Sequence, residues 1–204
     1  TQLTSVHSRF DTRIFHKMCC SLASQGYSVN LVVADGEGDE SREGVHIIDA
    51  GASKGRFDRI RNAPGRAFAK ALALNANLYH LHDPELIPIG LKLKKLGKRV
   101  IFDSHEDAPR QMLNKPYLNR SMRWVIAQAL RVYEVLACKQ FDGVIAATPF
   151  IRDKFLAINP NSTDINNFPL LDELPSAASW TQKQPLVCYA GAIAKIRGIV
   201  EITQ

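Results

Sequence analysis

Cysteine is scarce in this chain: four among 204 residues, at Cys19, Cys20, Cys138 and Cys188, with two adjacent and no C-x-x-C spacing. That pattern argues against a disulfide framework and a thiolate zinc site, and it fits a reducing compartment. Long apolar runs are missing as well. The best stretch, Trp124 to Cys138, is interrupted by Arg131 and Glu134 and is too short to cross a bilayer. With no signal peptide visible, a cytoplasmic location is expected. Aromatic-rich RNA motifs, basic zippers and Cys/His fingers are absent, so nucleic acid is not an expected partner. The charge excess is modest, 26 Lys+Arg against 20 Asp+Glu, for a net +6. It is compatible with phosphorylated substrates or an anionic membrane surface.

Glycine-rich phosphate loops are lacking too. A dinucleotide-binding fold needs G-x-G-x-x-G directly after its first strand, so that backbone can approach the pyrophosphate. Here that turn reads VHSRFDTRIF. No Walker A sequence and no G-x-S-x-G occurs either. Dehydrogenase, P-loop kinase and α/β-hydrolase readings lose their main support.

What is present is a steady alternation. Strands are expected at Leu3–Val6, Ser28–Ala34, Val45–Ile48, Leu78–Leu81, Arg99–Phe102, Gly143–Ala147 and Pro185–Tyr189. Helical spacing separates them: Ile14 to Ala23 closed by Gly26, Ala63 to Leu74, LIPIGLKLKKLG, Ser121 to Lys139, and Pro149 to Leu156. The long helix should bury Val125, Ile126, Ala129, Val132, Tyr133 and Leu136. Residues 35–44 read as a loop, and Ile165 as the start of another helix. Apolar strands alternating with helices predict an α/β, Rossmann-like domain with a mostly parallel sheet, followed by the start of a second such domain. The expected division is 1–169, a linker at 170–184 rich in Pro, Ser, Ala and Gln, and the first βα unit of the second domain at 185–204. The chain begins without Met and stops inside the helix that Ile199 opens, so it is expected to be part of a longer protein.

In an open parallel sheet, ligands bind beyond the carboxyl ends of the strands. The polar residues at those ends are His7, Arg9, Asp11 and Arg13 after the first strand, His82, Asp83 and Glu85 after the fourth, and Asp103, His105, Glu106 and Asp107 after the fifth. Blander roles compete. Asp83 is expected to cap the helix at Pro84, Asp11 or Thr12 to cap the first helix, and His80 to pack within its strand. His80 and His82 share a strand face, but two imidazoles alone are weak grounds for a metal, and none is expected. Lys92, Lys94, Lys95, Lys98 and Arg99 make a cationic run that reads as a solvated helix face, with docking to anionic lipid as the competing role.

The segments TSVHSRFDTRIFHKMC, LYHLHDPELIPIGLKLKKLGKRVIFDSHEDAP, GVIAATPFI and LVCYAGAIAKIRGIVEI together resemble, in order, bacterial family 4 glycosyltransferases. The resemblance covers nearly the whole chain. It implies the GT-B fold: two Rossmann-like domains, the first binding acceptor and the second binding most of a nucleotide-sugar donor. It also implies retaining transfer to a saccharide or lipid-linked acceptor in surface polysaccharide or lipopolysaccharide assembly, without a resident cofactor. By the same resemblance, Arg9, Asp11 and Arg13 lie in a loop that would face donor phosphates and acceptor, and His105 would be the catalytic histidine against the donor sugar; His82, Asp83 and Glu106, on the same rim of strand ends, are also expected to contact substrate. Gly191, Lys195 and Arg197 would contact the donor phosphates, although Ala192 stands where the family often carries Arg. Two other readings stay open: a non-catalytic module for acceptor or membrane docking that works with a separate donor-binding subunit, and a GT-B sugar-nucleotide epimerase.

Overall fold

The computed structural model describes residues 1–170, 179–186, 188–191, 193 and 198–203. The chain divides into two compact units, Thr1–Phe168 and Pro169–Gln204. In the first, strands β1 (Gln2–Leu3), β2 (Val29–Val33), β3 (Glu40–Arg42), β4 (Val45–Asp49), β5 (Leu78–Leu81), β6 (Arg99–Ser104), β7 (Gly143–Ala146) and β8 (Ser162–Asp164) form one sheet. Its order is β3-β4-β2-β1-β5-β6-β7-β8. Every pairing is parallel except β3 with β4. The fold is therefore the expected Rossmann-like α/β domain.

The helices are α1 (Cys20–Ser24, continuing a π-helical stretch Thr12–Cys19), α2 (Gly55–Arg61), α3 (Ala63–Ala73), α4 (Ile87–Lys95), α5 (Ala108–Leu113), α6 (Arg120–Cys138) and α7 (Pro149–Leu156). Local chemistry sets their starts. Asp107, Asn119 and Thr148 each accept a backbone N–H from the first turn that follows, and Pro149 occupies the first position of α7. Alternation along β2 divides the core. Val29, Leu31 and Val33 pack against Ile14, Phe15 and Cys19 of the π-helical stretch, while Val32 joins the larger cluster on the other face. Helix α4 lies so close to the sheet that a Cβ at Gly90 would stand 2.6 Å from Leu81 and 2.8 Å from Phe141. Cys19 and Cys138 are buried, and burial pushes both thiols up to about 12, so they pack as small apolar groups.

Several expectations fail for identifiable reasons. β1 ends at Leu3, because Thr4 and Ser5 turn to a side-chain partner and Val6 is exposed. Part of the 35–44 loop becomes the exposed strand β3, whose antiparallel pairing with β4 hides no apolar face. Ile165 starts no helix; it donates its N–H to Ala146 just past β8, whose Ser162 and Asp164 carry no apolar signal. Helices α2 and α5 were too short to show a period.

The stripe on α6 is only partly as expected: Ile126 and Tyr133 are half-buried, with Tyr133 against the main core, and Ala129 is exposed. Val125, Val132 and Leu136 are exposed, and Ala127, Glu134, Ala137 and Cys138 are buried. Small side chains let α6 approach closely, and Glu134 is tolerated because Lys154 Nζ donates to it at 2.7 Å.

In the second unit, the described residues of 185–189 form no strand; a short helix, α8 (Ile199–Ile202), follows. A parallel strand needs a neighbour to satisfy its N–H and C=O groups, and the described residues of that unit contain none.

Candidate functional site

Strand order reverses between β1 and β5: from β1 the chain builds outward through β2 and β4, and from β5 it builds the other way through β6 to β8. Such a switch point separates the loops that follow the two strands and opens a crevice at their carboxyl ends. A cleft of about 890 Å³ lies there, lined among others by His7, Asp11, Arg13, His82, Asp83 and His105. Its other wall includes Glu106, Gln111 and Lys115.

Asp83 does not cap the helix at Pro84. Its Oδ2 instead accepts from Thr4 Oγ1 at 2.9 Å and from the Ser5 backbone N–H at 2.6 Å, fastening the end of β1 to the end of β5. The buried carboxylate finds these donors across the switch point, out of reach of any sequence-local argument. Its Oδ1 faces His7 Nε2 at 3.4 Å, and His7 Nδ1 stands 3.3 Å from Asp11. Asp11 does cap the first helix, accepting from the backbone of Arg13 and Ile14, and it holds His7 as well.

Held chiefly by its hydrogen bond to Asp11, His7 keeps its proton above the ordinary histidine range, despite partial burial. A raised folded-state pKa gives stability that is complete below the unfolded value of about 6.5 and is lost as pH rises through the folded value. The destabilisation caused by His7→Gln should therefore be largest below about pH 6 and shrink toward pH 9 in urea titrations. A gap that does not change with pH would show that His7 carries no paired charge.

Behind this rim, four imidazoles follow one another. Ring centroids are 5.0 Å apart for His7 and His105, 5.4 Å for His105 and His82, and 4.5 Å for the stacked pair His82 and His80. His80 and His82 share a face of β5 because side chains alternate, and the register of β5 with β6 brings Asp103 beside them. His82 Nε2 lies 2.7 Å from Gln2 Oε1 and donates to it. Its Nδ1 is then a lone pair, which accepts from His105 Nε2 at 3.3 Å. Asp103 Oδ2 stands 3.3 Å from the same nitrogen. In this arrangement His105 keeps its Nδ1 lone pair for a hydrogen bond in the cleft. Burial, reinforced by neighbouring imidazole charge, pushes His80 and His82 below the ordinary range. Burial would raise Asp103, but the hydrogen bond from His105, the adjacent His82 ring and the Arg13 guanidinium outweigh it and hold the carboxyl well below its usual range.

Other expected site residues are placed differently. Arg13 lines the cleft, but its guanidinium is committed: Nη2 and Nε donate to Asp103 at 2.9 and 3.2 Å, and Nη1 to the Ile165 carbonyl at 2.6 Å. Arg9 is not among the cleft-lining residues. It is buried against Asp35, Glu40 and the Gly38 carbonyl, which fold the acidic loop over it. Glu106 lines the cleft and accepts from Gln111. Gly191 lies in the second unit, and Ala192, Lys195 and Arg197 fall outside the described residues.

The lysine run also changes place. Helix α4 leaves the cleft rim and runs back, so its last turn lies at the other end of the strands, beside the starts of β6 and β7. There Lys94 pairs with Asp142 at 2.8 Å, Lys98 donates to Asn75, and Lys92 lies over the Phe68 ring. These partners give the run local structural roles away from the cleft. Among the described residues, no helix is long and apolar enough to cross a membrane.

Sequence reasoning passed over Gln2 and gave His80 only a packing role within its strand. A glutamine in an otherwise apolar first strand and alternate histidines on one strand face were the available signals.

Comparison with known proteins points the same way as the switch-point cleft. The family model described as glycosyl transferase 4-like domain matches residues 12–169. Among solved structures, the chain is similar to sucrose-phosphate synthase from Thermosynechococcus elongatus, with a TM-score of 0.54 and 14% identity, over 72% of this chain and 40% of that one. It is also similar to an E. coli structure described as trehalose-6-phosphate bound with UDP-2-fluoro glucose, with a TM-score of 0.47 and 14% identity, over 76% of this chain and 42% of that one. At such identity the first likeness establishes the fold, of GT-B type. The chain spans about two fifths of the length of these solved chains. No curated protein sequence gives a significant match.

Proposed function

The chain belongs to the glycosyl transferase 4-like domain family, and from that premise we propose that it is the acceptor-side part of a retaining glycosyltransferase. In this reading residues 1–169 bind the acceptor, 170–184 link, and 185–204 open the donor-binding side. The donor is a nucleotide-sugar, the acceptor a saccharide or lipid-linked saccharide, and the setting surface polysaccharide or lipopolysaccharide assembly at the cytoplasmic face of the membrane. No resident cofactor is needed.

The observation that carries the reading is His105: it lines the switch-point cleft with its ring oriented by His82 and Asp103. A histidine so fixed can hold a sugar hydroxyl without paying for its own reorientation as the glycosidic bond stretches. His7, whose hydrogen bond to Asp11 holds its proton above the ordinary histidine range, can bring positive charge to the same rim. Departure of a nucleoside diphosphate builds negative charge, which such a group stabilises, with Lys195 and Arg197 proposed as further cations toward the donor phosphates. In front-face retention the leaving phosphate takes the acceptor proton, so the paired carboxylates of a glycosidase are not required.

Calorimetry with nucleotide-sugars tests the division of labour. The 204-residue chain should bind donor weakly and transfer nothing, while the two-domain enzyme should bind donor tightly and consume it when lipid or saccharide acceptor is added. Micromolar donor affinity with transfer by the 204-residue chain would overturn the split site. Two-domain protein inert toward every nucleotide-sugar would overturn the transferase reading itself.

A further inference from the structure

The donor and acceptor ledger of the histidine cluster does not close. His80 is buried, and its Nε2 has no hydrogen-bond partner. A polar atom sealed away without a partner costs free energy and calls for an explanation. Asp103 Oδ2 is 3.8 Å away, beyond hydrogen-bond reach. The single proton on His105 Nε2 is shared between His82 Nδ1 and Asp103 Oδ2, both at 3.3 Å, long for either bond. His82 Nδ1 and Asp103 Oδ2 face each other at 3.4 Å. With His82 Nε2 donating to Gln2, neither of those two atoms brings a proton.

We propose that His80 Nε2, His82 Nδ1 and Asp103 Oδ2 form a three-ligand site for one divalent transition-metal ion of the zinc class. Donor atoms about 2.0–2.1 Å from a tetrahedral zinc stand about 3.3–3.4 Å from one another. Here His82 Nδ1 and Asp103 Oδ2 are 3.4 Å apart, and His80 Nε2 and Asp103 Oδ2 are 3.8 Å apart. The ligand atoms of His80, His82 and Asp103 all lie within 4.8 Å of one another. A cation at their centre takes up the lone pairs that converge there and gives His80 Nε2 its partner.

The surroundings fit a metal site. Gln2 Oε1 accepts the other ring N–H of His82 at 2.7 Å, the kind of outer hydrogen bond that fixes a metal-ligating imidazole. Asp103 gives Oδ1 to Arg13 Nη2 and one lone pair of Oδ2 to Arg13 Nε, which leaves the second lone pair of Oδ2 for the ion. The guanidinium is thereby neutralised rather than left facing the metal. Two imidazoles with one carboxylate suit zinc, cobalt or nickel and disfavour magnesium and calcium, which prefer all-oxygen shells.

Metal binding is independent of sugar transfer and is tested with metal alone. Equilibrium dialysis of the 204-residue chain against zinc should retain one equivalent, and cobalt should give the intense visible bands of a tetrahedral ion. His80→Gln should weaken binding by tenfold or more, and Gln2→Leu should weaken it by about 10–100-fold. His46→Gln, on the exposed part of β4, should change nothing. Wild-type protein that is folded by circular dichroism and gives only the pale octahedral cobalt spectrum would overturn the proposal. So would full zinc retention by a folded His80→Gln variant. If either variant loses its fold, the wild-type cobalt spectrum decides alone.

Discussion

Arg13→Ala will destabilise the first unit by about 3–5 kcal/mol, the cost of leaving one member of a buried ion pair without its partner. Both members are sealed from solvent, with side-chain exposures of 8% for Arg13 and 0% for Asp103. The two hydrogen bonds join the first helix to the end of β6, and the third, to Ile165, reaches the end of β8. Loss of the guanidinium therefore strands a carboxylate and unfastens three segments together. Urea unfolding measures the effect. The double variant Arg13→Met with Asp103→Asn should recover much of it, because no unpaired charge then remains. A cost below about 1 kcal/mol for the single variant would place the pair among solvent-screened bridges and refute its buried role.

In the two-domain enzyme proposed above, His105→Ala should lower turnover by about a hundredfold or more, the usual cost of one transition-state hydrogen bond. Stability should change far less, because His105 sits at the cleft lip, with 17% of its side chain exposed. His82→Asn offers a separate check. It removes the acceptor that holds His105 Nε2–H without touching the cleft atom, so turnover should fall while donor affinity stays near wild type. Wild-type turnover in His105→Ala, or simple unfolding, would make His105 a structural loop residue.

Much of the architecture was legible because it rests on local periodicity. The apolar runs at Leu31–Val33 and Val100–Phe102 read as buried strands, and Thr148-Pro149 carries both the cap and the first-turn proline of α7. The position of His105 followed from one further rule, that ligands gather where parallel strands end. Family resemblance then supplied the chemistry that composition could not.

What the sequence alone determined is the alternation of strands and helices, the absence of a glycine phosphate loop, and the set of polar residues on one rim. These depend on neighbours a few positions apart, where backbone geometry and side-chain pattern decide. Tertiary structure decided which of those rim residues are available. Arg9 turned to the acidic loop, Arg13 was consumed by Asp103, Asp83 tied two strand ends together, and His80 was sealed beside His82 with an unsatisfied nitrogen. Burial is the physical reason: a charged or polar group removed from water must take whatever partner lies within about 3 Å, and at the switch point that partner comes from a distant strand.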